Sequence, residues 1–237
     1  MTPAPIAVAL DAPDLETAAR WASLVTPHVS TVKVGLELYL RYGPDVIASI
    51  RGASGVRLFL DLKLHDIPNT VAGAAGAVAR LKPAILTVHA TGGPAMIEAA
   101  VNALPNTQIA AVTLLTSLSE ADLERIGVNG PASDAVRRLA VMAVGAGAQA
   151  LVCSPHEITT VRAEVGPDIT LIIPGVRPVG TASQDQVRVA TPEQAFADGA
   201  DLLVIGRPIT GSADPGATAA GIAASLRRTS AATGRRS

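Results

Sequence analysis

Residues 61–70, Asp-Leu-Lys-Leu-His-Asp-Ile-Pro-Asn-Thr, place two carboxylates, Asp61 and Asp66, and the ammonium group of Lys63 at the end of the apolar run 56–60. Carboxylates beside a buried ammonium favour its charged form, so this grouping can hold a cation where burial alone would discharge it. A strand turns alternate side chains to opposite faces, which puts Asp61 and Lys63 on one face and Asp66 past the strand, where a helix begins. Charge this dense beside a hydrophobic strand reads as a site. The alternative is a solvated strand end carrying an incidental ion pair.

A second group with chemical capacity is Gly206-Arg207-Pro208-Ile209-Thr210, which follows an apolar run and opens a helix. Free backbone amides at a helix start attract an anion, and an arginine there can bind phosphate through two donors. The stretch from Pro174-Gly175-Val176-Arg177-Pro178 through Gln186 to Thr191 is rich in Gly, Pro and polar residues, as a closing lid would be, with Arg177 and Gln186 as its working groups. His89 ends an apolar run and reads as a base or, more simply, as a hydrogen-bonded structural histidine. Gly145 and Gly147 mimic a dinucleotide fingerprint but end a helix and precede a strand, the wrong order for that motif, so close packing and a helix stop explain them. The single cysteine, Cys153, excludes an intramolecular disulfide and a cysteine-rich metal site, and fits a small buried thiol.

The elements that position these residues follow from the spacing of apolar runs. Strands are predicted over 6–10, 31–34, 56–62, 85–89, 109–114, 150–153, 169–173 and 202–205. Helices are predicted near 14–25, 38–50, 69–81, 94–103, 131–148, 157–165, 192–197 and 209–227. Alternation of this kind implies a parallel sheet covered on both faces, and eight repeats in 237 residues favour a single-domain α/β TIM (β/α)8 barrel over an open sheet. Barrels carry function at the C-terminal ends of their strands. Asp11, Lys33, Asp61, Lys63, His89 and Gly206-Arg207 all stand at such ends. The barrel domain is assigned to residues 1–228 and a polar, basic, flexible tail to 229–237.

Composition narrows the function classes. Nineteen basic and twenty acidic residues give a formal charge of −1 with 2% aromatic residues, which offers neither a field nor stacking groups for nucleic acid. Hydrophobic residues make up 49% of the chain, yet Gly, Pro or charge breaks every run well short of the ~20 residues that span a membrane. The start, Met-Thr-Pro-Ala-Pro-Ile, lacks a basic segment followed by an apolar one, so a cytoplasmic location is expected.

Taken together, the 61–70 run, Val112-Thr113-Leu114-Leu115-Thr116-Ser117, Pro174-Gly175-Val176-Arg177-Pro178, Asp185-Gln186 and Gly206-Arg207-Pro208-Ile209-Thr210 resemble the orotidine 5′-phosphate decarboxylase family, in the family's order over about residues 6–228. The ten-residue run is highly specific. One departure is Ile173, where many members carry Thr before Pro-Gly; its position suggests a place beside the site.

The resemblance implies decarboxylation of orotidine 5′-monophosphate to uridine 5′-monophosphate with neither metal nor organic cofactor. It makes Lys63 the proton donor to C6 of the pyrimidine and Asp61 the carboxylate set against the departing one. Lys33 and Asp66 would complete an alternating charged array, with Asp66, Ile67 and Thr70 contributed to the neighbouring subunit of a homodimer. Asp11 and Lys33 would meet the ribose hydroxyls and Thr116 the pyrimidine, while Pro174, Arg177, Gln186, Gly206 and Arg207 would serve the phosphate and lid. The chemistry is consistent: loss of carbon dioxide leaves an electron pair in the ring plane, orthogonal to the π system, so a preplaced cation must receive it. Two other readings compete. Hexulose-phosphate synthases and keto-gulonate-phosphate decarboxylases use an Asp-x-Lys-x-x-Asp motif on the same barrel to bind magnesium, but lack the His-Asp-Ile-Pro-Asn-Thr continuation. A catalytically silent phosphate-ligand binding protein on this barrel is the third.

Overall fold

The computed structural model describes residues 2–51, 56–178 and 190–234. Eight parallel strands close into a barrel in chain order, and the eighth pairs with the first. The chain runs β1 (Ala4–Ala9), α1 (Leu15–Val25), β2 (Val29–Gly35), α2 (Leu36–Tyr42), α3 (Asp45–Arg51), β3 (Arg57–Leu64), α4 (Pro68–Val78), β4 (Ile85–His89) and α5 (Pro94–Ala103). It continues through β5 (Gln108–Val112), α6 (Glu120–Arg125), α7 (Ala132–Gly145), β6 (Ala150–Val152), α8 (Ile158–Val165), β7 (Thr170–Ile173), α9 (Pro192–Asp198), β8 (Leu202–Ile205), α10 (Arg207–Thr210) and α11 (Pro215–Thr233).

Two cores hold this together. Inside the barrel, Phe59 and Ile85 pack with Ala7, Ala110, Ala150, Ile172 and Leu202; three alanines make room for the phenylalanine ring, and each large side chain contributes about 1.5–3 kcal/mol by leaving water. Between strands and helices lies the larger core, to which α1 contributes Ala18, Ala22 and Val25, spaced at i, i+4 and i+7. Asp14 caps that helix by accepting from the Thr17 amide at 2.7 Å, a contact typically contributing about 1 kcal/mol. Gly216 lets α11 approach α1 closely: a Cβ there would lie 3.1 Å from the Leu24 carbonyl.

Opposite the strand ends that carry charge, polar side chains seal the barrel. Gln108 donates to Thr170 Oγ1 at 2.7 Å, and the Gln149 side-chain carbonyl accepts from the Ile109 amide at 2.9 Å. Arg162 donates to the carbonyls of Gly166, Ile169 and Gly199 and to Asp201, whose Oδ2 also accepts from the Leu171 amide at 2.8 Å. This clip ties the starts of β7 and β8 to α8.

Several predicted boundaries move. The helix expected over 38–50 is two helices, because Gly43 takes φ 55° and Pro44 has no amide to continue the ladder. The strand expected over 109–114 ends at Val112, where Thr113 instead donates both its amide and its hydroxyl to the Val152 carbonyl. The last helix, expected to end at 227, continues as α11 to Thr233, so residues 229–233 of the expected tail are helical. The Gly145–Gly147 stretch ends α7 as expected, with Gly147 at φ 89° and the position of its Cβ 3.6 Å from Val101. Among the described residues, no helix is long and apolar enough to cross a membrane.

Candidate active site

The charged residues converge at the C-terminal mouth of the barrel. Ala9 pairs with Lys33 and Gly35 pairs with Asp61, so the ends of β1, β2 and β3 stand side by side. Lys33, with 7% exposure, sends its ammonium group to 3.7 Å from Asp11 Oδ1 and 3.3 Å from Asp61 Oδ2. Lys63 Nζ lies 2.7 Å from the other oxygen, Asp61 Oδ1. Asp61 is thus held between two cations, and Asp11 continues the array toward solvent. Burial by itself pushes the Asp61 carboxyl up, but Lys33 and Lys63 outweigh it and hold the group below its ordinary 3.8.

Simple strand alternation does not place Lys63. Leu60 pairs with Leu86 and Leu64 with Val88, so three residues of β3 face a single residue of β4. Lys63 sits in this irregularity with φ 49°, a left-handed backbone that non-glycine residues adopt at a cost of about 1–3 kcal/mol. Its side chain reaches Asp61 through this bend. Lys63 N–H donates to Thr87 Oγ1 at 2.8 Å, and the Thr87 hydroxyl lies 3.1 Å from Asp61 Oδ1.

Asp61 and Lys63 face a cavity of about 340 Å³ whose other walls include Phe59, Val112, Leu115, Thr116, Ser117, Ile172, Pro174 and Val204. Charge occupies one wall, and apart from the hydroxyls of Thr116 and Ser117 the rest is apolar, a form suited to a flat ring that carries a polar group on one edge. Ile173 does not belong to it. Ile172 points into the barrel, whereas Ile173 faces the helices, so the sequence departure at 173 lies on the opposite side of the strand from the cavity.

The other site residues divide by place. Arg177 and Gly206 follow β7 and β8, and Arg207 opens α10 with its side chain exposed. Gly206 lies against β1, where a Cβ would meet Ala9 at 3.3 Å. The two ends of the 174–191 stretch are joined: Val176 bridges Ala190, and the Arg177 amide donates to the Ala190 carbonyl at 2.9 Å. Gln186 falls outside the described residues. Asp66, Ile67 and Thr70 are exposed, and Asp66 accepts from the Ile67 amide at 2.6 Å instead of pairing with Lys63. Within one chain, then, the array consists of Asp11, Lys33, Asp61 and Lys63, while the turn into α4 carries Asp66, which the resemblance assigns to the neighbouring subunit's site, outward.

The His89 ring lies beside that of His65, tilted by 40° with centroids 5.3 Å apart. Burial, then the neighbouring His65 and Lys63, lowers its basicity below the ordinary 6.5, which suits a neutral structural imidazole. Cys153 is fully buried, and burial raises its thiol far above the range in which a thiolate forms.

Two residues of this mouth escape a reading of the sequence. Thr87 is a hydroxyl inside an apolar strand, in phase with His89 two residues on, and that phase is its only signal. Gly35 stands two residues after Lys33; a Cβ there would lie 3.1 Å from Lys33 Nζ and 3.2 Å from Asp11 Oδ1, so its missing side chain makes room for that pair.

A sequence model of the orotidine 5′-phosphate decarboxylase / HUMPS family matches residues 4–222. An orotidine 5′-phosphate decarboxylase of Thermobifida fusca is 71% identical over 228 residues, covering 96% of this chain and 98% of the relative. One from Frankia casuarinae is 55% identical over 240 residues, covering 94% and 88%. Among solved structures, the orotidine 5′-phosphate decarboxylase of Lactobacillus acidophilus superposes with a TM-score of 0.82 at 38% identity, covering 94% of this chain and 99% of its own. With a closed eight-stranded barrel, paired lysines on Asp61 at its mouth and this likeness along nearly the whole sequence, the chain belongs to the orotidine 5′-phosphate decarboxylase / HUMPS family.

Proposed function

We propose that the chain decarboxylates orotidine 5′-monophosphate to uridine 5′-monophosphate and carbon dioxide, the last step of UMP biosynthesis, using only its own side chains. The observation that carries this reading is Asp61 held between Lys33 and Lys63 on one wall of a mostly apolar cavity. With the pyrimidine in that cavity, its carboxylate stands against Asp61. The bond from C6 to the carboxyl carbon breaks, carbon dioxide leaves, and the electron pair stays on C6. Lys63 then gives a proton from Nζ to C6, and water restores the ammonium group.

Lys63 is charged and oriented before the carbanion forms, so little reorganisation accompanies the step. Enzymes of the slowest reactions lower barriers by up to about 23 kcal/mol or more, beyond what one cation supplies. Binding of the phosphate by Arg207, Gly206, Arg177 and Gln186, remote from C6, offsets the cost of pressing one carboxylate toward another. Thr116 meets the base, and Asp11 with Lys33 meets the ribose.

A second copy of the chain completes the site. Asp66, Ile67 and Thr70 are exposed beside the mouth, and Ile67 is an apolar side chain 65% exposed. In a homodimer these residues reach the partner's cavity, where Asp66 becomes the second acid beside Lys63. The enzyme works in the cytoplasm.

The magnesium-dependent relatives on this barrel need carboxylates free to ligate. Here both oxygens of Asp61 face ammonium groups, and among the described residues no three acidic, histidine or cysteine side chains are arranged to hold a metal ion. The test is direct: purified protein is followed by the absorbance loss of orotidine 5′-monophosphate, with and without a chelator. Turnover in both arms is expected. No turnover in either sinks the assignment, and turnover abolished only by the chelator supports the metal-dependent relatives instead.

A further inference from the structure

We propose that Thr87, through its hydroxyl, is the positioning residue that holds the Lys63 ammonium group and Asp61 in register for proton transfer to C6. The inference rests on the decarboxylase reading and adds a residue to it.

The argument begins in the backbone. Between the pairs Leu60–Leu86 and Leu64–Val88, β3 has Asp61, Leu62 and Lys63 where β4 has only Thr87. Main-chain pairing across this mismatch is interrupted, and Lys63 N–H turns to a side chain: it donates to Thr87 Oγ1 at 2.8 Å. A hydroxyl has one proton to give. With its oxygen receiving Lys63 N–H, that proton points to Asp61 Oδ1, 3.1 Å away, the same oxygen that accepts from Lys63 Nζ at 2.7 Å. The contacts close a ring from the Lys63 backbone through Thr87 and Asp61 to the Lys63 side chain.

The ring does two things. It fixes the left-handed backbone of Lys63, φ 49°, which has no glycine to relieve it. It also takes up one lone pair of Asp61 Oδ1, which restrains how the carboxylate turns and hence where the ammonium group sits. Thr87 is 0% exposed, so water cannot take the place of its hydroxyl. It does not line the cavity and acts only through its two neighbours.

The experiment compares the parent with Thr87→Val, which keeps the shape and removes both hydrogen bonds, and Thr87→Ser, which keeps the hydroxyl. Three quantities are read: kcat and KM on orotidine 5′-monophosphate, Kd for uridine 5′-monophosphate, and exchange of the C6 hydrogen of uridine 5′-monophosphate in deuterated water. The exchange is the proton-transfer step run in reverse. Misplacement of a reacting group by about 1 Å costs on the order of 10²-fold, so Thr87→Val is expected to lower kcat and C6 exchange together by about that factor. KM and Kd should stay within about threefold, since uniform binding is untouched, and Thr87→Ser should recover most of the loss. A Thr87→Val enzyme with parental kcat overturns the proposal, as do equal losses in Val and Ser variants or a loss confined to KM. If Thr87→Val does not fold, Thr87→Ala takes its place; failure of both beside a folded Ser variant assigns the hydroxyl to barrel closure and also overturns the positioning role. Parent protein that leaves orotidine 5′-monophosphate intact overturns the decarboxylase reading itself, before any variant is compared.

Discussion

Lys63 Nζ stands 2.7 Å from Asp61 Oδ1 even though the lysine backbone between them leaves the extended region for φ 49°. Two side chains that a regular strand would send in parallel are turned toward each other by a bend in the strand. The pair is therefore built with backbone strain, and its use should lie in the chemistry rather than in stability.

Lys63→Ala removes the proposed proton donor while leaving the residues proposed to meet the phosphate and ribose. We expect kcat to fall by more than about 10³-fold, the combined scale of a lost general acid and a lost preplaced charge. Calorimetric titration should still detect uridine 5′-monophosphate binding. Turnover near the parental value would remove Lys63 from the mechanism.

Arg207→Ala should act on binding. A hydrogen-bonded charge pair contributes about 1.5–3 kcal/mol, so KM should rise about 10- to 150-fold. The same variant assayed on a substrate lacking the phosphate should match the parent. A normal KM on the nucleotide would mean that Arg207 makes no phosphate contact.

Shared sites can be detected by mixing subunits. If the proposed homodimer shares its sites, the Lys63→Ala and Asp66→Ala proteins should each be nearly inactive. After unfolding and refolding together, hybrid dimers hold one site with neither change, and about a quarter of parental activity should return if pairing is random. No gain on mixing would place Asp66 outside the partner's site.

Arg162→Ala breaks the clip that joins β7, β8 and α8 at the closed end of the barrel. It removes one donor from the Asp201 carboxylate and from three carbonyls, which should cost about 3 kcal/mol and lower Tm by about 6–12 °C. The effect on kcat at 25 °C should be small, because the clip lies at the end of the barrel away from the cavity. Thermal unfolding followed by circular dichroism measures the first effect, and steady-state kinetics the second.

Acid stability should separate two groups. Burial, aided by His65 and Lys63, keeps His89 below its ordinary 6.5, so the unfolded chain binds that proton more readily and His89 lowers stability as pH falls below 6.5. His89→Asn should flatten the decline of Tm between about pH 7 and 5. Asp61 has the opposite dependence: its lowered value makes a stabilising contribution that is complete above 3.8 and lost as pH falls through the folded value. The Tm difference between the parent and Asp61→Asn should therefore be constant from neutral pH to about 4 and narrow below it. A difference that narrows already near pH 6 would contradict this.

The barrel was legible because a parallel strand buried on both faces reads as a short apolar run, and eight such runs alternate with helical spacing in one chain. Asp61, Lys63 and Lys33 were legible for a related reason, since charge at the end of an apolar run has no structural purpose that water would not serve better. The break at Gly43-Pro44 was present in the residues but hidden by helical periodicity on both sides. The extent of α11 was masked by its last turns, whose polar residues break the apolar periodicity.

Sequence alone determined which strands form and which end of the barrel carries charge, because burial and periodicity act locally along a chain. Only the tertiary structure decided that Thr87 joins Lys63 to Asp61, that Gly35 clears space for Lys33, and that Ile173 faces away from the cavity. Each of these depends on the register between neighbouring strands, and a shift in the β3–β4 pairing leaves no mark in the order of residues on either strand.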